Sequence, residues 1–265
     1  MKYSILDFQK EFPNDDTCLE YIFKKKYPDS KGWYRVSGRK AYANAEGKQI
    51  YPLSKTIFEK SDTSLVKWFY AIFLFSQSKN GVSAKELQRQ LSVTYKTAWR
   101  IGKQIRQLMT QDDTKLGGTI EADETYIGGT RRMKVKMENK TPVIGAVRRG
   151  GKIKAQALKN REEYSVIPFL MKNVKKGSIL ITDEAPVYKA VLDYKRRSVE
   201  HGKKQFAVGN LHTNTIEGFW SQLKRSINGT YHSVSKKYLQ TYVDEFSFYY
   251  NARFSLPFEV LMERI

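Results

Sequence analysis

Three carboxylates between residues 123 and 217 of this 265-residue chain have the type and placement to hold divalent metal ions: Asp123 in IEADETYIGG, Asp183 ending SILITD, and Glu217 in HTNTIEGFWSQLKRSINGTYH. Phosphoryl transfer by two metals needs about three acids converging from separate elements, because the ions sit about 4 Å apart and contact both the attacking and the leaving oxygen. Mg²⁺ prefers such all-oxygen ligands, and Mn²⁺ suits the same set. Singly, each acid reads as a surface charge or a helix cap. Their distribution over different elements is what suggests a shared centre.

The elements that must position them can be read from periodicity. In TIEADETYIG, two-residue alternation turns Glu121 and Asp123 to one face of a strand and Glu124 to the other. An acid between apolar strand neighbours is costly without a partner or a metal. SILITD is a buried strand, so Asp183 falls at its C-terminal end, where open α/β sheets hold their sites. In the third segment Ile216, Phe219, Trp220, Leu223 and Ile227 form the buried stripe of a helix from about Thr213 to Ile227, with Glu217, Ser221 and Lys224 on an adjoining stripe. Lys224, with Arg225 beside it, is a candidate contact for a phosphate held near Glu217.

Around these segments PVIGAVRRGGKIKAQAL reads as a hairpin turning at Arg149 to Lys152, REEYSVIPFLMKNV and EAPVYKAVLDY as helices, RRSVEH as a short strand, and about Lys236 to Asn251 as a closing helix. Three strands, a helix, a strand, a helix, a strand and a helix is the order of a ribonuclease-H-like α/β fold, a mixed sheet with flanking helices. Three regions are therefore expected: a small mixed module over residues 1–60, a helical region over 61–112 and the catalytic domain over 113–265.

Lys and Arg total 47 against 27 Asp and Glu, a formal net charge of +20. Such a surplus nominates a polyanion as partner, and nucleic acid before a membrane surface. The apolar cluster WFYAIFLF at residues 68–75 is too short to span a bilayer and reads as a buried helix. MKYSILDFQKEF has neither a basic leader nor a signal-length apolar run, so a cytoplasmic location is the default expectation. Cys18 is the only cysteine, which excludes an intramolecular disulfide and a cysteine-rich zinc site.

Two amphipathic segments form a helix-turn-helix candidate. Ser83 with Glu86 makes a capping box ahead of Ala84, Leu87 and Leu91. After a turn at Ser92 to Thr94, YKTAWRIGKQIRQLM faces Ala98, Ile101 and Ile105 inward, leaving Tyr95, Lys96, Thr97, Arg100 and Lys103 outward, the polar set a recognition helix presents to a major groove. Between residues 131 and 161, eleven Lys or Arg face the single acid Glu138. Arg131, Arg132, Lys134, Arg148, Arg149 and Lys152 are the candidate contacts to a DNA backbone there.

With TIFE and GVSAKELQRQLSVTYKTAWR upstream of ADETYIGG, ITDEAPVY and HTNTIEGFWSQLKRSINGTYHSVSKKYLQTYVDEFSFYYNAR, in this order over roughly residues 7 to 255, the sequence resembles the DDE-type insertion-sequence transposases of the ISXO2-like branch. The resemblance implies that Asp123 and Asp183 are the metal-binding aspartates and that Glu217 or Asn214 completes the set. It also implies cleavage of element ends in double-stranded DNA, joining of the 3′ hydroxyl to target DNA, Mg²⁺ as cofactor, and a homodimer or larger assembly on DNA. A nuclease on the same core and a catalytically silent DNA-binding relative are the rivals. In two places the chain departs from the family pattern. Trp33, Val36, Ala43 and Glu46 stand where relatives carry four zinc-ribbon cysteines, so no zinc is expected and packing by Trp33 and Tyr42 must replace it. Tyr249 stands at a usual arginine, with Glu245, Asn251 and Arg253 in place.

Overall fold

The computed structural model describes residues 3–128, 140–160, 162–199 and 212–265, which form two compact units. One comprises Met1–Ser78, Val82–Leu108 and Ser255–Ile265, the other Lys79–Gly81 and Met109–Phe254.

In the first unit, helices α1 (Ile5–Glu11) and α2 (Asp15–Lys26) are separated at Pro13, which lacks the N–H a continuous helix would need. Ser4 caps α1 in a reciprocal pair with Asp7, and the Asn14 side chain accepts from Thr17 N at the start of α2. Strands β1 (Tyr34–Arg35), β2 (Tyr42–Ala43) and β3 (Gln49–Ile50) make a small antiparallel sheet. Tyr42 stacks on Phe23 with ring centroids 3.7 Å apart, and Trp33 lies against the same ring at 6.5 Å. Trp33 and Tyr42 thus both pack on Phe23 of α2. Helix α3 (Leu65–Gln77) carries WFYAIFLF into the interior, where Phe69 and Phe73 meet Phe8, Phe12 and, from helix α9 (Pro257–Glu263), Phe258.

Helices α4 (Ala84–Leu91) and α5 (Tyr95–Leu108) belong to the same unit. Ser83 Oγ accepts from Glu86 N at 3.1 Å, and Ser92 takes a left-handed conformation (φ 49°) that ends α4 and starts the turn. Leu87, Leu91, Ala98, Ile101 and Ile105 are buried, as the pattern requires.

The second unit is built on a five-stranded mixed sheet of β4 (Thr119–Ile127), β5 (Thr141–Arg148), β6 (Ile153–Ala157), β7 (Ile179–Thr182) and β8 (Lys195–Ser198), in spatial order β6-β5-β4-β7-β8. The β4–β5 and β5–β6 pairs are antiparallel, β4–β7 and β7–β8 parallel. Alternation divides the side chains between two cores. Ile120, Ala122, Ile144 and Leu180 pack with Val166 and Leu170 of helix α6 (Glu163–Asn173), whereas Val143, Val147 and Ile153 pack with helices α7 (Asn214–Ser226) and α8 (Leu239–Asn251). This mixed α/β architecture fits a ribonuclease-H-like domain.

EAPVYKAVLDY, expected as a helix, forms only a 3₁₀ turn at Pro186–Ala190. The reason is local and topological. The Asp183 carboxylate accepts from Ala185 N at 3.0 Å and holds the chain in a turn. About a dozen residues must then bring the chain back to begin β8 parallel to β7, and β-branched Val187 and Val191 do not favour a longer helix.

The outer edge of β6 is closed by carboxamides at every second residue. Asn251 exchanges hydrogen bonds with Ile153, Gln111 does so with Ala155, and Gln240 accepts from Ala157 N. This occupies backbone groups that would otherwise invite another strand.

Candidate active site

The centre of the site is set by strand register. Thr119, Ile120 and Glu121 pair with Ile179, Leu180 and Ile181, a constant offset of 60 positions. Carried two residues on, it brings Asp123 level with Asp183, where β7 gives way to its turn. Ligand atoms of Asp123, Glu124 and Asp183 lie within 4.8 Å of one another, each side chain partly exposed. Glu124 leaves the opposite face of β4 from Asp123, as alternation requires, and still reaches this place beside the strand end.

Helix α7 covers the Asp123 face. Gly145 lies opposite Asp123 on β5, and a Cβ there would meet the Trp220 ring at 2.8 Å and Ile216 at 2.9 Å. The missing side chain lets α7 approach the sheet. Trp220 Nε1 then donates to Asp123 Oδ2 at 3.1 Å. Burial pushes the Asp123 carboxyl up to about 6. The carboxylates of Glu124 and Asp183 push the same way, against hydrogen bonds from the Glu124 backbone and Trp220 that favour the ionised form.

The N-terminus of α7 is held by an ion pair. Glu121 is fully buried and accepts from Thr215 N at 2.9 Å, Thr215 Oγ1 at 2.9 Å, Ile216 N at 3.1 Å and Arg149 Nε at 2.7 Å. Arg149 also donates to the His212 carbonyl at 2.7 Å, and His212 Nδ1 stands 3.6 Å from Glu121. A carboxylate at a helix start satisfies free N–H groups and meets the positive end of the dipole. Arg149, expected at a DNA backbone, has its guanidinium turned to this pair.

Glu217, Asn214, Lys224 and Arg225 are exposed on α7. Glu217 accepts from Thr213 Oγ1 at 2.7 Å and is not one of the three clustered carboxylates. Past Ser226 the helix widens into a π turn, Ile227–Tyr231, ending at His232 with φ 60°. Tyr231 and Tyr249 both donate to buried Glu245, at 2.8 and 3.0 Å, so Tyr249 keeps a structural partner there.

Of the basic candidates, Arg148 is exposed and lines an open groove with Lys115, Lys152 and Lys175. Arg148 pairs with Ile120, so the hairpin turn lies at the Thr119 end of β4, about 13 Å along the strand from Asp123. Arg131, Arg132 and Lys134 fall outside the described residues. In the other unit Lys96 is exposed, Thr97 N takes a cap from Thr94 Oγ1, Arg100 donates to Ser61 Oγ at 3.0 Å, and Lys103 lies 5.7 Å from the Trp99 ring centroid. No helix among the described residues is long and apolar enough to cross a membrane.

Sequence reasoning missed three features: the reach of Glu124 to the aspartates, the indole bond to Asp123, and the pairing of Glu121 with Arg149. The one available signal was Glu121 itself, an acid in an apolar strand that required a partner.

The chain is 25% identical over 212 residues to the uncharacterized protein in transposable element ISH50 of Halobacterium salinarum, covering 72% of this chain and 71% of that relative. Residues 115–251, which contain the whole five-stranded sheet together with α7 and α8, match the model of the ISXO2-like transposase domain. With more than half its length inside that match, the chain belongs to the ISXO2-like family of insertion-sequence transposases.

Proposed function

We propose that this transposase cleaves the ends of its element in double-stranded DNA and joins the released 3′ hydroxyl to target DNA, with Asp123 and Asp183 as the carboxylates of a two-metal centre. The observation that carries this reading is that ligand atoms of Asp123 on β4, of Asp183 just past the end of the parallel strand β7, and of Glu124 lie within 4.8 Å of one another. The donors are all carboxylate oxygens. That chemistry fits Mg²⁺ or Mn²⁺ and not a thiophilic ion. Bound there, the metals would supply the Lewis acidity that activates the attacking oxygen and neutralises charge on the leaving one.

The chain's own residues do the rest. Trp220 fixes the direction of the Asp123 carboxylate, and Glu217 or Asn214 on α7 completes the oxygen set. Lys224 and Arg225 farther along α7 hold a phosphate of the strand being cut. Helices α4 and α5 act as a helix-turn-helix that reads the element end through Lys96 and Thr97, with Arg100 and Lys103 on the same helix. Arg148 and Lys152, with Lys115 and Lys175 beside them, hold the DNA backbone without regard to sequence. Arg131 and Arg132, which belong to the same basic stretch of sequence, are further candidate contacts to the DNA backbone. Bringing two element ends together calls for a homodimer or larger assembly on DNA.

The test is a strand-transfer assay with labelled element-end duplex, target plasmid and Mg²⁺. Joined product that disappears in Asp123→Asn and Asp183→Asn supports the reading. Cleavage without joining would make the protein a nuclease, and end binding without cleavage a silent relative.

A further inference from the structure

Glu124 belongs by alternation to the face of β4 turned away from Asp123 and α7. That face packs against the turn at Pro186–Ala190. Tyr188 in this turn is fully buried, and its hydroxyl donates to Glu124 Oε1 at 2.6 Å. A buried phenol needs a partner for its O–H, but any backbone carbonyl would meet that need. Here the acceptor is instead a carboxylate brought within 4.8 Å of two others. Three acids so close repel one another unless a cation lies among them. The rigid ring and its hydrogen bond set the direction of the Glu124 carboxylate from behind, as a carbonyl or carboxylate orients a metal-ligating histidine.

Resting on the two-metal reading of Asp123 and Asp183, we propose that Glu124 is a further ligand of the same divalent-metal centre and that Tyr188 is its positioning residue. The metal site then draws on both faces of β4. It takes Asp123 from the face covered by α7 and Glu124 from the face covered by the Tyr188 turn, with Asp183 between them at the end of β7. Tyr188 touches neither substrate nor the reacting atoms, and acts through the carboxylate it holds.

The experiment measures Mn²⁺ binding to the full chain without DNA, by electron paramagnetic resonance of free Mn²⁺ up to millimolar concentration, alongside thermal unfolding in chelator. Glu124→Gln keeps the shape and can still accept from Tyr188. It should weaken Mn²⁺ about a hundredfold while leaving the chelated protein at least as stable as wild type, because repulsion is relieved. Tyr188→Phe should weaken Mn²⁺ about tenfold, the loss typical of removing an outer-shell partner. Wild-type Mn²⁺ affinity in Glu124→Gln, with loss in Asp123→Asn and Asp183→Asn, would overturn the assignment and leave the two-metal reading standing. Unchanged affinity in both aspartate variants would bring down that reading, and this inference with it. A Tyr188→Phe protein that melts lower but binds Mn²⁺ like wild type would show that Tyr188 only packs.

Discussion

The indole N–H of Trp220 donates to the carboxylate of Asp123 across 3.1 Å, tying the middle of α7 to the central strand of the sheet. The bond favours the ionised carboxylate, yet burial and two neighbouring acids outweigh it and leave the group near 6. The unfolded chain gives up this proton near the ordinary value of 3.8, and the folded chain holds it until about 6. Folding is therefore favoured by this group below the lower value, and that contribution is lost as pH rises through the upper one. In chelator, the stability of wild type minus that of Asp123→Asn should fall by about 3 kcal/mol between pH 3.5 and 7. Urea unfolding at several pH values measures the gap, and a flat difference would show that Asp123 titrates normally. Trp220→Phe removes the donor and should move the transition to higher pH.

Arg149 and Arg148 are adjacent in sequence and should behave in opposite ways. Arg149→Ala leaves Glu121 buried at the start of α7 without its guanidinium, a loss of about 3 to 5 kcal/mol by the usual cost of breaking a buried pair from one side. Arg148→Ala removes an exposed side chain and should change stability by no more than about 0.5 kcal/mol. On DNA, Arg148→Ala should lower affinity for every sequence and flatten the salt dependence. Chemical denaturation and binding titrations at two salt concentrations separate the pair. Equal stability of the two variants would contradict the structural role of Arg149.

For helices α4 and α5 the expected effect is on discrimination. Lys96 is exposed on α5, whereas Arg100 is engaged with Ser61. Lys96→Ala should reduce binding to the element end more than binding to random duplex, by about 1 to 3 kcal/mol for a lost base contact. Arg100→Ala should also lower the melting temperature, since it breaks a contact within its unit. Competition binding with both DNAs decides the first point, and equal losses would reassign Lys96 to the phosphate backbone.

How far the site was legible depended on the range of the information each residue needed. The faces of Glu121, Asp123 and Glu124 followed from alternation alone, a property of any strand whatever covers it. The burial of Ala98, Ile101 and Ile105 was legible in the same way from helical spacing. The separation between Asp123 and Asp183 was visible as a number, but its meaning as a parallel register depends on strands that meet only in the folded chain. Glu121 announced that it needed a partner without saying which of many cations would come, because that choice rests on a hairpin bending back onto the start of α7. The stretch around Tyr188 misled because its apolar spacing suits a helix, while the short return to β8 leaves space for a single turn. Nothing in a periodic pattern says which side chain will cover Glu124.

The last expectation concerns which residue of α7 joins the aspartates. Asn214 opens the helix and Glu217 lies one turn on, both exposed, with Glu217 accepting from Thr213 Oγ1. A group already bonded to its own helix start must turn away from that partner to reach the aspartates, whereas Asn214 has no such bond to break among those described for its side chain. If Glu217 is the ligand, Glu217→Gln should abolish cleavage and joining while end binding stays near wild type, because the amide keeps the shape and loses the charge. Thr213→Val should then leave activity intact or raise it by freeing the carboxylate. If Asn214 holds the role, Asn214→Ala should remove activity and Glu217→Gln should retain most of it. Asp123→Asn and Asp183→Asn serve as the fully inactive references, and chelator should stop the wild-type reaction until Mg²⁺ or Mn²⁺ is returned. Single-turnover cleavage of labelled element ends, with binding measured on the same samples, decides between the two residues. Full activity in both α7 variants would remove the helix from the metal centre and leave the oxygen set to the sheet.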